Sequence, residues 1–79
     1  MSDTSNMVDV TLHIDETIDH DARESLQDKL REIDGVIAAV SHDEKPHLII
    51  VEYNPQKTTS EALLACVREQ GIHAELIGL

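Results

Sequence analysis

The sequence predicts an α+β sandwich in which two helices cover one face of a four-stranded antiparallel sheet. Short apolar segments, the first of them strictly alternating with polar residues, indicate strands, and two longer segments with apolar residues every three or four positions indicate amphipathic helices. Their order is strand, helix, strand, strand, helix, strand, which is the split βαβ arrangement. Because each crossover is expected to be right-handed, both helices should lie on the same face and leave the other face open.

The first half of the chain contains a strand and a helix. The strand, residues 7–14, has its aliphatic side chains at even positions: Val8, Val10, Leu12 and Ile14. The helix is predicted over residues 19–33, where one face collects the apolar side chains Ala22, Leu26, Leu30 and Ile33. Asp34-Gly35 should end it, since glycine commonly follows the last apolar turn of a helix.

A hairpin is predicted to follow the first helix. The segments "VIAAV" (36–40) and "HLIIVEY" (47–53) are strands, and the polar "SHDEKP" (41–46) between them is the turn. Tyr53, at the end of the second of these strands, is expected to pack its ring inward. Asn54-Pro55 then breaks the strand.

A second helix, predicted over residues 59–70, and a last strand complete the pattern. Thr58 followed by Glu61 matches a capping box at the start of this helix. Gly71 ends the helix, and "IHAELIGL" (72–79) is the fourth strand.

Length, composition and charge limit the function. The 79 residues form one small domain, residues 7–79, preceded by polar residues 1–6 that are expected to be flexible. The formal net charge of −10 disfavours nucleic acid and anionic lipid and favours cations or basic protein surfaces. No apolar run approaches the roughly 18 residues of a membrane span, and no signal peptide is recognisable, so a cytoplasmic protein without membrane insertion is expected.

No catalytic constellation is recognisable. The sequence has no supported serine-histidine-acid arrangement and no glycine-rich phosphate loop, so an enzyme is not expected. The only cysteine, Cys66, excludes an intramolecular disulfide and any two-thiol metal motif. It falls on the buried face of the second helix, where it is interpreted as a small core side chain.

Four segments together resemble one family. They are "VTLHI" (10–14), "LREIDGV" (30–36), "VEYNP" (51–55) and "EALLACVREQGIHAEL" (61–76). They are similar to the first strand, the end of the first helix, the end of the third strand, and the second helix with the last strand of heavy-metal-associated domains. Such domains occur in small copper chaperones and metal-transporting P-type ATPases. The resemblance spans roughly residues 8–77 and implies a ferredoxin-like fold and a copper-chaperone-like ancestry.

The chain departs from this family at the metal motif. The family's MxCxxC lies between the first strand and the first helix, and placed here without gaps it falls on Thr17, Asp19 and Ala22. Both thiolates are therefore absent. Because Cu(I) prefers soft thiolate or thioether ligands, the resemblance implies a domain that has lost its copper site.

The loop that replaces the motif contains hard and borderline ligands instead. Asp19, His20 and Asp21 are candidate ligands for a weakly bound divalent ion such as Zn²⁺, Ni²⁺ or Cu²⁺. The alternative is structural, since Asp19 or Asp21 would also cap the helix and interact favourably with its dipole.

Two histidines on the first and last strands raise a similar choice. His13 and His73 have outward parity on the first and last strands, with Glu75 close by. They are either a two-histidine ligand pair or solvated surface residues.

The open face of the sheet is a candidate interface. The third strand is apolar on both parities, so Leu48 and Ile50 should face outward, together with Ile37 and Ile77. Contiguous exposed apolar side chains on a small domain indicate a contact surface, here for a protein partner or a second copy of the chain.

The sequence therefore favours a small non-enzymatic interaction module that needs no cofactor. The alternative is a metal-handling protein that binds a divalent ion through the loop at residues 15–21. A third option, a small-molecule regulatory module related to amino-acid-sensing domains, lacks the glycine-rich turn expected there.

Overall fold

The fold follows the predicted order of elements. A computed structural model describes residues 7–77, and residues 1–6, predicted to be flexible, and 78–79 lie outside the described residues. The elements are β1 (Val8–Ile14), α1 (His20–Arg31), β2 (Val36–His42), β3 (Lys45–Tyr53), α2 (Ser60–Glu69) and β4 (Ala74–Ile77). The strands form one antiparallel sheet in the order β2-β3-β1-β4. This is the ferredoxin-like βαββαβ sandwich that the sequence predicts.

One aliphatic core lies between the sheet and the two helices. Its fully buried members from the strands are Val10, Leu12, Ile14, Ala39, Ile49 and Val51, and those from the helices are Leu26, Leu30, Leu63 and Val67. Because successive strand residues point to opposite faces, the alternate positions of the same strands form the open face. Within residues 7–77, neither helix has the length and apolar character needed to cross a membrane.

Several boundaries differ from the predicted ones. α1 ends at Arg31 rather than at residue 33, because Ile33 donates its N–H to Leu30 O (3.1 Å) in a tighter turn. The hairpin turn contains only Asp43 and Glu44, since both strands extend further than their apolar cores indicate. Within the described residues β4 is Ala74–Ile77, so it begins two residues later than predicted.

The start of α2 is capped by a different threonine from the predicted one. Thr58 belongs to the preceding turn, where its N–H donates to Asn54 O (3.1 Å) and its side chain is buried. Thr59 has the extended backbone of an N-cap, and its Oγ1 accepts the N–H of Ala62 at 3.1 Å. The predicted capping box was therefore placed one residue too early.

Gly35 occupies a position that only glycine fits without strain. Its φ of +102° lies in the region that L-residues avoid, and a Cβ there would lie 2.7 Å from Lys57 Cβ. The Gly35 carbonyl accepts the N–H of Asn54 at 2.8 Å. This close approach joins the end of α1 to the segment that follows β3.

Candidate functional site

The loop between β1 and α1 ends in a capped helix. Asp19 has the extended backbone of an N-cap, and its Oδ1 accepts the N–H of Ala22 at 2.8 Å. This bond satisfies one of the four unpaired N–H groups at the helix start. Positions 19 and 22 are those where the resembling family carries its two cysteines. In this chain the Asp19 carboxylate is hydrogen-bonded to the backbone of position 22.

The first turn of α1 is tied to the β2–β3 turn by three charged side chains. Arg23 is 4% exposed, and its guanidinium donates through Nη2 to Asp43 Oδ1 (2.5 Å) and through Nη1 to His42 O (3.2 Å). His20 Nδ1 lies 3.1 Å from the same Asp43 oxygen, and His20 Nε2 lies 3.9 Å from Glu24 Oε2. A buried arginine thus holds the hairpin turn against the helix, and an exposed histidine shares its carboxylate partner.

These contacts change the acidity of the exposed partners. The hydrogen bond to Asp43, with the negative charge of that carboxylate, raises the pKa of His20 above its ordinary value. The same bond and the Arg23 guanidinium lower the pKa of Asp43. Each partner therefore favours the charged form of the other.

The opposite side of the loop is held by a second ion pair. Glu16 accepts the backbone N–H of His73 (2.9 Å to Oε1), and its Oε2 lies 2.5 Å from His73 Nδ1. The backbone adds a further bond, from Asp15 N to His73 O at 2.9 Å. The side-chain bond lowers the pKa of Glu16 and raises the pKa of His73. The loop is thus fastened to the α2–β4 connection as well as to the β2–β3 turn.

The three predicted metal residues have different surroundings. Asp19 caps the helix, His20 faces Asp43, and Asp21 lies exposed in the first helical turn. Within residues 7–77, no group of three or more histidine, cysteine or acidic side chains is arranged to hold a metal ion.

The predicted pairing of His13 with His73 is not observed. The register of β1 with β4 places Glu75, not a histidine, opposite His13. His73 precedes β4, and its ring turns to Glu16. His13 instead stacks on His47 of β3, with ring centroids 5.8 Å apart and an angle of 15° between the planes.

The open face of the sheet carries an aliphatic row. Strand register aligns Val40, Ile50, Thr11 and Ile77 across all four strands, one residue from each. The three aliphatic members are 38–41% exposed. Leu48, in the next row, is half-buried, and Ile37, at a register irregularity of β2, is 56% exposed. Three of the four predicted open-face residues are therefore exposed, and Val40 was not predicted.

Cys66 lies partly buried against the core, as expected from its helical position. Burial raises the pKa of its thiol. Because the thiolate is the reactive form, this environment disfavours nucleophilic chemistry at Cys66.

Sequence reasoning missed Arg23 and Asp43. One signal was available for Arg23: it lies three residues before Leu26, so it falls on the apolar face of α1, where a charged side chain needs a partner. No comparable signal identifies Asp43, because its 20-residue separation from Arg23 is closed only by the fold.

Several solved structures have the same fold, and the names of two of the three that follow include copper. A copper binding domain from the P-type ATPase HMA7 superposes with a TM-score of 0.80 at 16% identity, covering 89% of this chain and 93% of that one. Oxidized MerP from Ralstonia metallidurans CH34 gives 0.81 at 15% identity, covering 91% and 99%. The N-terminal domain of a potential copper-translocating P-type ATPase from Bacillus subtilis, in its Cu(I)-loaded state, gives 0.79 at 23% identity, covering 91% and 89%.

These likenesses establish the fold. No family model and no curated protein sequence matches the chain. The β1–α1 loop of this chain is the loop in which the resembling family carries its metal motif. At identities of 15–23%, the shared fold does not assign metal binding to this loop.

Proposed function

We propose that this chain is a small, non-enzymatic interaction module of the heavy-metal-associated type that binds a protein partner through the open face of its sheet. The observation that carries the proposal is the aliphatic row, in which Val40, Ile50 and Ile77 are aligned by register and exposed together. A row with aliphatic side chains on three of the four strands, interrupted by Thr11 of β1, is a larger contact surface than scattered exposed aliphatics.

The loop supports the same proposal. Thr17, Asp19 and Ala22 stand where the family's motif has methionine and two cysteines, and the sequence contains no second cysteine. The loop is also fastened on both sides, through Glu16 to His73 and through the first turn of α1 to Asp43. A loop held in this way supports the shape of the domain, and soft-metal transfer is not part of the proposed function.

Charge around the row favours a basic partner over a second copy. Asp9 and Glu52 are cross-strand neighbours on one side of the row, and Glu75 of β4 lies on the other. A second copy would bring the same acids together, whereas a partner with an apolar patch ringed by lysine or arginine would complement them. We place this encounter in the cytoplasm, the compartment expected from the sequence.

The test compares one open-face variant with a matched control. Ile50→Lys places a charge in the middle of the row, and Ala65→Lys makes the same kind of change at an exposed position of α2. Immobilised wild type and Ala65→Lys should retain the same basic protein from a cell extract, and Ile50→Lys should not.

The retained protein must then, once purified, be shown to bind the open face. Added to the labelled chain, it should shift the amides of Val40, Ile50 and Ile77. Equal capture by Ile50→Lys, or shifts confined to the helices, would contradict the proposal. Self-association of the wild type that Ile50→Lys abolishes would replace the basic partner with a homodimer.

A divalent ion at the loop is the second candidate. The favouring observation is that His20 lies 3.1 Å from Asp43 and 3.9 Å from Glu24, so one imidazole has two carboxylates within reach. Asp19 and Asp21 would join them only after the loop rearranges, because no three ligand side chains of residues 7–77 are already arranged around one ion, and the result would be a weak site of nitrogen and oxygen ligands. Zn²⁺ added at micromolar concentration would then shift the amides of residues 19–21, whereas an unchanged loop below millimolar Zn²⁺ would leave the interaction module alone.

A further inference from the structure

The stacked histidines His13 and His47 form a cluster that the proposed interface does not use. They come from neighbouring strands, β1 and β3, and their rings are 5.8 Å apart and nearly parallel. Neither belongs to the loop that carries the candidate metal residues of the sequence. The pair is therefore a separate feature between the end of β1 and the start of β3.

In both rings Nδ1 has an oxygen nearby, at different distances. His47 Nδ1 lies 2.7 Å from Ile14 O, and because a carbonyl only accepts, Nδ1 must carry the proton. His13 Nδ1 lies 3.5 Å from Asp15 Oδ1, which is too long for a hydrogen bond, although the charge of the carboxylate favours the same Nδ1–H tautomer. The lone pair of neutral His47 is consequently on Nε2, and the tautomer favoured in His13 places it there as well.

An imidazole whose other ring nitrogen donates to a carbonyl or carboxylate is the usual form of a metal-ligating histidine. The oxygen partner fixes the tautomer and the orientation of the ring, and it makes the free nitrogen more basic. His47 has this arrangement with Ile14 O, and the Asp15 carboxylate, 3.5 Å from His13 Nδ1, is the oxygen partner that His13 would take up on binding.

We propose that the Nε2 atoms of His13 and His47 bind one borderline divalent ion, such as Zn²⁺, Cu²⁺ or Ni²⁺, between the end of β1 and the start of β3. Imidazole nitrogen is a preferred ligand of these ions. The acids nearby add negative potential, since Glu75 pairs with His13 across β1 and β4 and Asp15 lies beside the same ring. This site does not depend on the protein interface proposed above.

The distances set the rearrangement that binding requires. A Zn–N bond is about 2.0–2.1 Å, so the two Nε2 atoms must come within about 4 Å of each other. Because the rings are 5.8 Å apart and nearly parallel, their in-plane lone pairs do not point at a common atom in this arrangement. Binding therefore requires His13, whose side chain is 40% exposed, to turn toward His47. The two histidines supply two protein ligands, and water or a second molecule completes the coordination.

The experiment separates the two ring nitrogens. Asparagine in place of histidine keeps an N–H donor near the position of Nδ1 and removes Nε2, so His13→Asn and His47→Asn should retain the fold while losing the ligand atom. His42→Asn, at the exposed end of β2, is the matched control. Zn²⁺ is added to each full-length chain, and the long-range ¹H–¹⁵N spectrum of the histidine rings reports which nitrogen is bound.

The proposal expects Zn²⁺ to shift Nε2 of His13 and His47 together in the wild type and in His42→Asn. Removing a residue that only hydrogen-bonds to a metal ligand lowers metal affinity about 10–100-fold. Removing one of the two ligands themselves should therefore weaken Zn²⁺ binding at least about tenfold. Undiminished binding by His13→Asn and His47→Asn, or ring shifts confined to His20, overturns the proposal. So does a wild type whose histidine spectrum is unchanged at millimolar Zn²⁺, an outcome that needs no variant.

Discussion

The two glycines that end the helices permit a matched test of how tightly the turn after α1 is packed. Gly35 and Gly71 both have positive φ, +102° and +79°. They differ in their surroundings, because a Cβ at Gly35 would lie 2.7 Å from Lys57 Cβ, whereas a Cβ at Gly71 would meet nothing within 4 Å. Replacing each by alanine therefore imposes a similar kind of backbone penalty and a different steric one.

The expected magnitudes follow from these two terms. A left-handed backbone costs an alanine about 1–2 kcal/mol, and this is the whole effect expected for Gly71→Ala. Gly35→Ala adds an overpacking cost of about 1–3 kcal/mol, because the obstructing atom is a Cβ and moves only with its backbone. The total of about 2–5 kcal/mol is comparable to the roughly 3–5 kcal/mol that one small core supplies.

Urea unfolding followed by far-ultraviolet circular dichroism measures both variants. Gly71→Ala should remain folded with a lower midpoint, and Gly35→Ala should be partly or largely unfolded without urea. Equal losses of unfolding free energy in the two variants would refute the reasoning, because they would mean that the segment at Lys57 yields without cost.

Three further outcomes are expected. Asp19→Cys with Ala22→Cys should take up Cu(I) tightly where the wild type does not, measured by competition with a chelator. The two positions lie together at the helix start, since in the wild type Ala22 N–H donates to Asp19 Oδ1 at 2.8 Å, and two thiolates there suit Cu(I). A folded variant without uptake would contradict the placement of the family motif. The Glu16–His73 pair should stabilise the fold most between the ordinary pKa values of its members, 4.5 and 6.5. Because the pKa of Glu16 is lowered in the fold, its contribution to stability is lost as the pH falls below this range, and because the pKa of His73 is raised, its contribution is lost as the pH rises above it. A stability difference between wild type and His73→Asn that does not change with pH would contradict this. Leu63→Ala should lower the unfolding free energy by about 2–5 kcal/mol in the same urea assay, since Leu63 is fully buried, and a smaller loss would indicate a core that collapses around the cavity.

The fold was predictable because its signals are local. The alternation around Val10 and Leu12 and the spacing of Leu26 and Leu30 identify their elements within a few neighbours. The error at Thr58 has a local cause, since two adjacent threonines offer the same capping chemistry and only the turn that begins at Asn54 decides between them.

The contacts around the candidate site were not predictable in the same way. Glu16 and His73 are 57 residues apart, and the register that brings them together is set by the pairing of β1 with β4. His13 and His47 likewise meet only because β1 lies next to β3 in the sheet. Whether a strand residue has an odd or even position predicts the face of the sheet on which its side chain lies. Which side chain lies next to it depends on the order of the strands and on their register.

The edge position of β4 has a consequence for detecting a partner. Within the described residues this strand spans Ala74–Ile77 and is hydrogen-bonded to β1 alone. Edge segments with few bonds open locally at much lower free energy than the whole molecule, so the amides of β4 should exchange with deuterium sooner than those of β3. A partner resting on Ile77 would have to hold this strand closed, and slowed exchange in β4 would reveal its arrival without any label on the partner.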